Sequence, residues 1–173
     1  MIMELPYQKG DLVVYPTHGV GRVMGVETQE FSGTKIEVIL INFDKEKMML
    51  RVPVLKARNA GLRRLSSRKV MDSALGALKT KSRVKRAMWS RRAQEYETKI
   101  NSGHPVAIAE VVRELYRTAS EQEMQSYSER QMYQSALDRL VRELAAVEGI
   151  DEPAATARLE KVLSTTTATT AAA

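Results

Sequence analysis

Apolar positions change rhythm about a third of the way along the chain. Before residue 55 they form the short alternations and β-branched runs of strands. Asp11-Leu12-Val13-Val14-Tyr15 is β-branched and aromatic-rich, and Pro16 closes it. Val20 to Glu27 alternates loosely around Gly21 and Gly25, as in a bent strand approached closely by a neighbour. Thr34 to Phe43 is the strongest strand, entered through a Phe31-Ser32-Gly33 turn. Asp44-Lys45-Glu46-Lys47 reads as a hairpin loop leading into Met48 through Val54, where Pro53 marks an edge or a strand end. Four or five short strands with tight turns between them imply a small β-barrel, a form that closes its own hydrogen-bonding edges.

From Ser66 onward the period lengthens to that of helices. Ser66 or Ser67 can cap a helix bearing Val70, Met71, Ala74, Leu75 and Leu78. A second carries Val84, Met88, Trp89, Ala93, Tyr96 and Ile100, and Asn101-Ser102-Gly103 stops it. Pro105 sits where a first-turn proline is tolerated, ahead of Ile108, Val111, Val112, Leu115 and Tyr116. Ser126 and Glu129 have capping-box spacing before Met132, Tyr133, Leu137, Leu140, Val141 and Leu144, and Gly149 ends that run. A short last helix follows Asp151, with Pro153, Leu159, Val162 and Leu163. The expected fold class is therefore α+β: a small N-terminal barrel over residues 1–64, then an all-α bundle of about five helices over 65–163. The Thr/Ala segment 164–173 reads as a disordered tail from its composition.

Charge changes this picture more than overall composition does. Residues 1–55 hold six Lys/Arg against seven Asp/Glu, a net −1. Residues 56–92 hold thirteen against Asp72 alone, a net +12, and residues 93–173 hold eight against thirteen, a net −5. Such a concentration attracts a polyanion, and nucleic acid is the commonest one in a cytoplasm. Lys79, Lys81, Arg83, Lys85, Arg86, Arg91 and Arg92 crowd residues 79–92 without an acid, and the sole tryptophan, Trp89, lies among them. An indole beside phosphate-seeking arginines suits stacking on a base or wedging into a base step. The same residue belongs to a Trp89, Ala93, Tyr96, Ile100 stripe that suits core packing, and spacing leaves both roles open. If Ser90 caps the helix, Trp89 falls just outside it. A hydrophobic staple would then need an apolar partner at Gln94 and lacks one.

Catalytic chemistry is poorly represented. No cysteine is present, which removes disulfides, thiolate nucleophiles and thiolate metal sites. His18 and His104 lie far apart, no phosphate-loop motif occurs, and Asp44 and Glu46 read as a solvated hairpin loop. No cofactor and no enzyme activity are expected. Apolar runs are too short to span a bilayer, and Met1-Ile2-Met3-Glu4 does not open like a signal peptide, so a cytoplasmic chain is expected.

Several motifs resemble the CarD/CdnL family of bacterial transcription regulators. They are Lys9-Gly10-Asp11-Leu12-Val13-Val14-Tyr15-Pro16-Thr17-His18-Gly19, Leu50-Arg51-Val52-Pro53, Trp89-Ser90-Arg91-Arg92, and Ala109-Glu110-Val111-Val112-Arg113-Glu114-Leu115-Tyr116. The likeness covers about residues 7 to 163. The opening motif is also shared with the polymerase-binding module of the transcription-repair coupling factor, whereas the tryptophan motif and later helices point to CarD/CdnL. The resemblance implies a Tudor-like barrel bound to the RNA polymerase β subunit. It also implies a helical domain meeting promoter DNA at the upstream edge of the transcription bubble, where it stabilises the open complex. Trp89 matches the family's minor-groove wedge, and Arg91 and Arg92 match basic DNA-contacting positions, with Lys81, Arg83, Lys85 and Arg86 as further candidates. Arg51 matches a polymerase-contacting arginine, and Gln29 and Met49 complete the implied polymerase set. Gln29 and Gln94 stand where some relatives carry basic residues. The implied DNA contact is largely sequence-nonspecific, and a monomer associated with the nucleoid through polymerase is expected. The sequence leaves two other readings: a standalone architectural nucleic-acid binder, and a protein–protein adaptor in which Trp89 is core.

Overall fold

The structure, a computed structural model, describes residues 7–80, 88–118, 121 and 123–171, with side chains as far as Thr166. It divides into two units between Leu65 and Ser66. The first holds strands β1 (Leu12–Tyr15), β2 (Gly19–Phe31), β3 (Thr34–Phe43) and β4 (Met48–Pro53), the single turn of helix α1 (Val54–Ala57), and β5 (Arg63–Arg64). These strands form one antiparallel sheet in the order β4-β3-β2-β1-β5. Its edges, β4 and β5, are not paired with each other, so the small barrel expected from the tight turns is an open one. A two-residue β5 has too little backbone to carry a closing ladder.

Register follows from which residues must be buried. Val13, Val23, Ile39, Ile41, Phe43 and Val52 form one cluster with Ala57 and Leu62, and burying each aliphatic side chain contributes about 1.5–3 kcal/mol. Gly21 admits that core, because a Cβ there would stand 2.6 Å from Ile41 Cγ2 and 2.7 Å from Phe43 Cε1. The ladder between β2 and β3 slips between Val23 and Gly25, so Met24 is an extra, bulged residue and Gly25 takes a φ of 148°. The bulge supplies the bend, and β2 continues four residues beyond the expected Glu27.

The opening motif is largely structural. Gly10 N donates to Val23 O at 2.7 Å, Val23 N to Asp11 O at 2.8 Å, and Gln8 N to the Asp11 carboxylate at 2.9 Å. His18 stacks on Tyr15 with ring centres 5.6 Å apart and lies 5.4 Å from the Phe43 ring. Its Nδ1 is 3.2 Å from Glu46, so the β3–β4 loop is held against the β1–β2 turn.

The second unit is helical: α2 (Arg68–Leu78), α3 (Trp89–Asn101), α4 (Pro105–Leu115), α5 (Tyr127–Glu148) and α6 (Glu152–Ala171). Of the two candidate caps for α2, Ser67 accepts from Val70 N, while Ser66 donates to Glu143 at 2.8 Å. Pro105 occupies the first turn of α4, Ser126 accepts from Glu129 N to cap α5, and Gly149 ends α5 in the left-handed region. The Asp151 carboxylate accepts from Ala154 N and starts α6. These five helices all contribute to one core, whose largest members include Tyr96, Met71, Leu115, Leu140, Leu144, Leu159 and Leu163. Composition suggests disorder from Ser164, yet α6 runs on to Ala171. Leu159 and Leu163 anchor the preceding turns in the core, and beyond them the Ser164 and Thr166 hydroxyls donate back to Lys161 O and Val162 O, so these polar side chains are accommodated on the helix.

Candidate nucleic-acid interface

Trp89 is the first residue of α3, and Met88, at φ −58° and ψ 145°, is its cap without a side-chain hydrogen bond. Ser90 therefore lies inside the helix and caps nothing, contrary to the expectation that would place Trp89 outside it. Arg91 N and Arg92 N both donate to Met88 O, so the backbone alone closes the first turn. That turn contains no acid, and the positive end of the helix dipole adds to its arginines.

The two roles open to Trp89 are met by different parts of the ring. It packs against the helical core through Tyr96, with centroids 6.2 Å apart at 51°, and is otherwise half-buried at the surface. Deeper along the stripe, Tyr96 and Ile100 are buried. Met88, expected on the apolar face with them, is instead 78% exposed, one residue before the indole. Sequence rhythm missed it because the helix begins one residue later.

The neighbouring arginines differ. Arg91 is exposed and has no side-chain hydrogen bond or ion pair among the described residues. Arg92 is half-buried: its guanidinium carbon lies 5.7 Å from the Trp89 ring centre and 5.6 Å from that of Tyr96. Its Nε and Nη2 donate to the Tyr96 hydroxyl at 3.3 and 3.2 Å. Burial and the nearby Glu114 carboxylate raise the Tyr96 hydroxyl above its ordinary range, against the opposing pull of Arg92. Lys81, Arg83, Lys85 and Arg86 lie outside the described residues. At the last described position before them, Arg113 Nε donates to Thr80 O. Arg113 is itself buried, which lowers its pKa, as does its neighbour Arg117.

In the sheet unit, Arg51 and Met49 are exposed on the edge strand β4, paired with Leu40 and Asn42 of β3. Gln29 of β2 pairs with Ile36. Strand alternation puts all three on the face opposite Ile39, Ile41 and Phe43. Gln29 is half-buried and stands four residues along β3 from Arg51's partner, at the far end of that face. Exposed Phe31 and Leu55, at 64% and 77%, are surface apolar residues that alternation did not single out.

Among the described residues no group of acids and histidines could hold a metal ion, and no helix is long and apolar enough to cross a membrane. Residues 73–160 match the family model described as CarD, C-terminal domain, a span that contains Trp89 and both arginines. The chain belongs to the CarD family. Residues 7–66 of this CarD-family chain match a second model, the CarD-like/TRCF RID domain, whose fold is Tudor-like. A curated relative, named "Putative transcription factor YdeB" in Bacillus subtilis (strain 168), is 28% identical over 146 residues, covering 84% of this chain and 95% of its own. The two family matches meet near the boundary between the structural units, and together they support a CarD-like transcription factor.

Proposed function

We propose that the chain binds the RNA polymerase β subunit through its sheet unit and promoter DNA through the start of α3, stabilising the open complex. The observation that carries the DNA half is the half-exposed Trp89 at an acid-free helix start, with exposed Met88 before it and exposed Arg91 after it. Apolar wedges of this kind enter a base step from the minor groove, while an adjacent arginine meets phosphate. The family match of residues 7–66 supports the polymerase half, and exposed Arg51 and Met49 are its contact residues on β4. Polymerase supplies the address, so the DNA surface needs little sequence preference. Tethering lets weak contacts act at high effective concentration. Binding the opened state better by about 1.4 kcal/mol shifts the opening equilibrium roughly tenfold, without catalysis or cofactor.

The test is the lifetime of open complexes formed with the cognate polymerase, with no factor, wild type, or a Trp89→Ala variant shown to be folded by circular dichroism. Wild type lengthens the lifetime and the folded variant loses most of the gain. No effect of wild type, together with tight binding to free DNA, would replace this reading with a standalone nucleic-acid binder.

A further inference from the structure

We propose, building on the wedge reading of Trp89, that Arg92 is a positioning residue that holds the indole rather than a phosphate contact. Residues 89, 92 and 96 lie three and four positions apart, so their side chains share one face of α3. Arg92 lies against both aromatic rings, 5.7 Å from one centre and 5.6 Å from the other, and Nε and Nη2 are both directed at one hydroxyl. That hydroxyl belongs to Tyr96, only 1% exposed, so the anchor is fixed in the core. Glu114 lies beside the same hydroxyl and supplies the compensating negative charge from α4. Reaching outward to phosphate would cost Arg92 two hydrogen bonds and two ring contacts. Arg91 gives up nothing comparable, because it is exposed and has no side-chain partner among the described residues. The adjacent arginines thus divide the work: one meets the DNA and the other orders the wedge. An indole at the first position of a helix has packing on one side only. Ordering it before binding lowers the conformational cost of insertion.

Four variants separate this from the phosphate-contact alternative: Arg92→Gln, Arg92→Lys, Tyr96→Phe and Arg91→Gln. Trp89 is the sole tryptophan, so its anisotropy and acrylamide quenching in the free protein report its mobility directly. Arg92→Gln and Tyr96→Phe are both expected to lower the anisotropy and raise quenching. Each cuts the open-complex lifetime gain by about fivefold, the scale of a partly desolvated cation–π contact. Neither changes the slope of DNA affinity against salt. Arg92→Lys does not rescue, because an ammonium cannot lie flat against two rings while donating two bonds in one plane. Arg91→Gln leaves the fluorescence unchanged and lowers the salt slope by about one. Full activity in Arg92→Lys, or unchanged fluorescence with a reduced salt slope in Arg92→Gln, would overturn the proposal. Tyr96→Phe alone could perturb the core, and the two half-exposed Arg92 variants keep the test decisive if it does. Failure of wild type to lengthen open-complex lifetime would remove the wedge reading instead, while the free-protein fluorescence still decides what Arg92 holds.

Discussion

At the scale of single residues, the basic segment cannot be treated as a uniform band of charge. Arg91 and Arg92 are indistinguishable in composition, yet one is exposed and the other lies between two rings and a buried hydroxyl. The difference is three-dimensional, since it depends on Tyr96 turning its hydroxyl back toward the start of α3. For the same reason the sequence left the wedge and core roles of Trp89 open. Helical spacing identifies the face that packs, but a residue at the first position of a helix packs with only part of its ring. Gly21 is the reverse case, legible as a close approach before the neighbours were known. Gly21→Ala should lower the thermal midpoint of the sheet unit by an amount equivalent to about 1–3 kcal/mol. The added methyl meets Ile41 and Phe43, both buried and unable to move aside. A melt followed by near-ultraviolet circular dichroism would register the loss.

At the scale of elements, strands and helices were readable wherever a single rhythm ran between turn or cap residues. The β2 bulge was not, because an inserted Met24 interrupts the alternation by which a strand is recognised. Nor was the extent of α6, where helix continuation competes with low complexity and the outcome depends on anchoring by Leu159 and Leu163. Adjacent serines give a direct test of element-level reasoning. Ser67→Ala removes the hydroxyl that accepts from Val70 N and should cost about 1 kcal/mol, seen as a lower urea midpoint. On β4, Arg51→Glu should weaken binding to the isolated polymerase β subunit by about tenfold or more while leaving the melting temperature unchanged, because the side chain is exposed. Titration calorimetry with that subunit would measure it.

At the scale of the whole molecule, burial of tyrosines sets an alkaline limit on the helical unit. The hydroxyls of Tyr96 and Tyr133 both titrate above their ordinary range, in each case chiefly through burial, with Glu114 and Glu160 respectively adding to the rise. Their folded forms keep protons that the unfolded chain has already released. The stability tied to this difference is present below the ordinary tyrosine pKa near 10 and is lost as pH rises from there toward the folded values. Thermal melts should therefore fall away above about pH 10, and Tyr133→Phe should flatten that decline relative to wild type. Sequence alone could list the tyrosines but not their burial, which depends on helices far apart in the chain.

The pairing of Ser66 with Glu143 spans 77 residues, and α2 touches both α5 and α6 while sharing their buried cluster. The first helix of the bundle packs chiefly on α4, and the last two helices close the cluster around it. On a ribosome, α2 emerges with its apolar face uncovered; α4 is the first large surface that can pack on it, and the shared cluster closes only when the last two helices have been made. The sheet unit depends on no residue beyond Leu65 for its ladders, so it can finish folding while its helical partner is still being synthesised. Translation order thereby presents the proposed polymerase-binding half first and the DNA-binding half last.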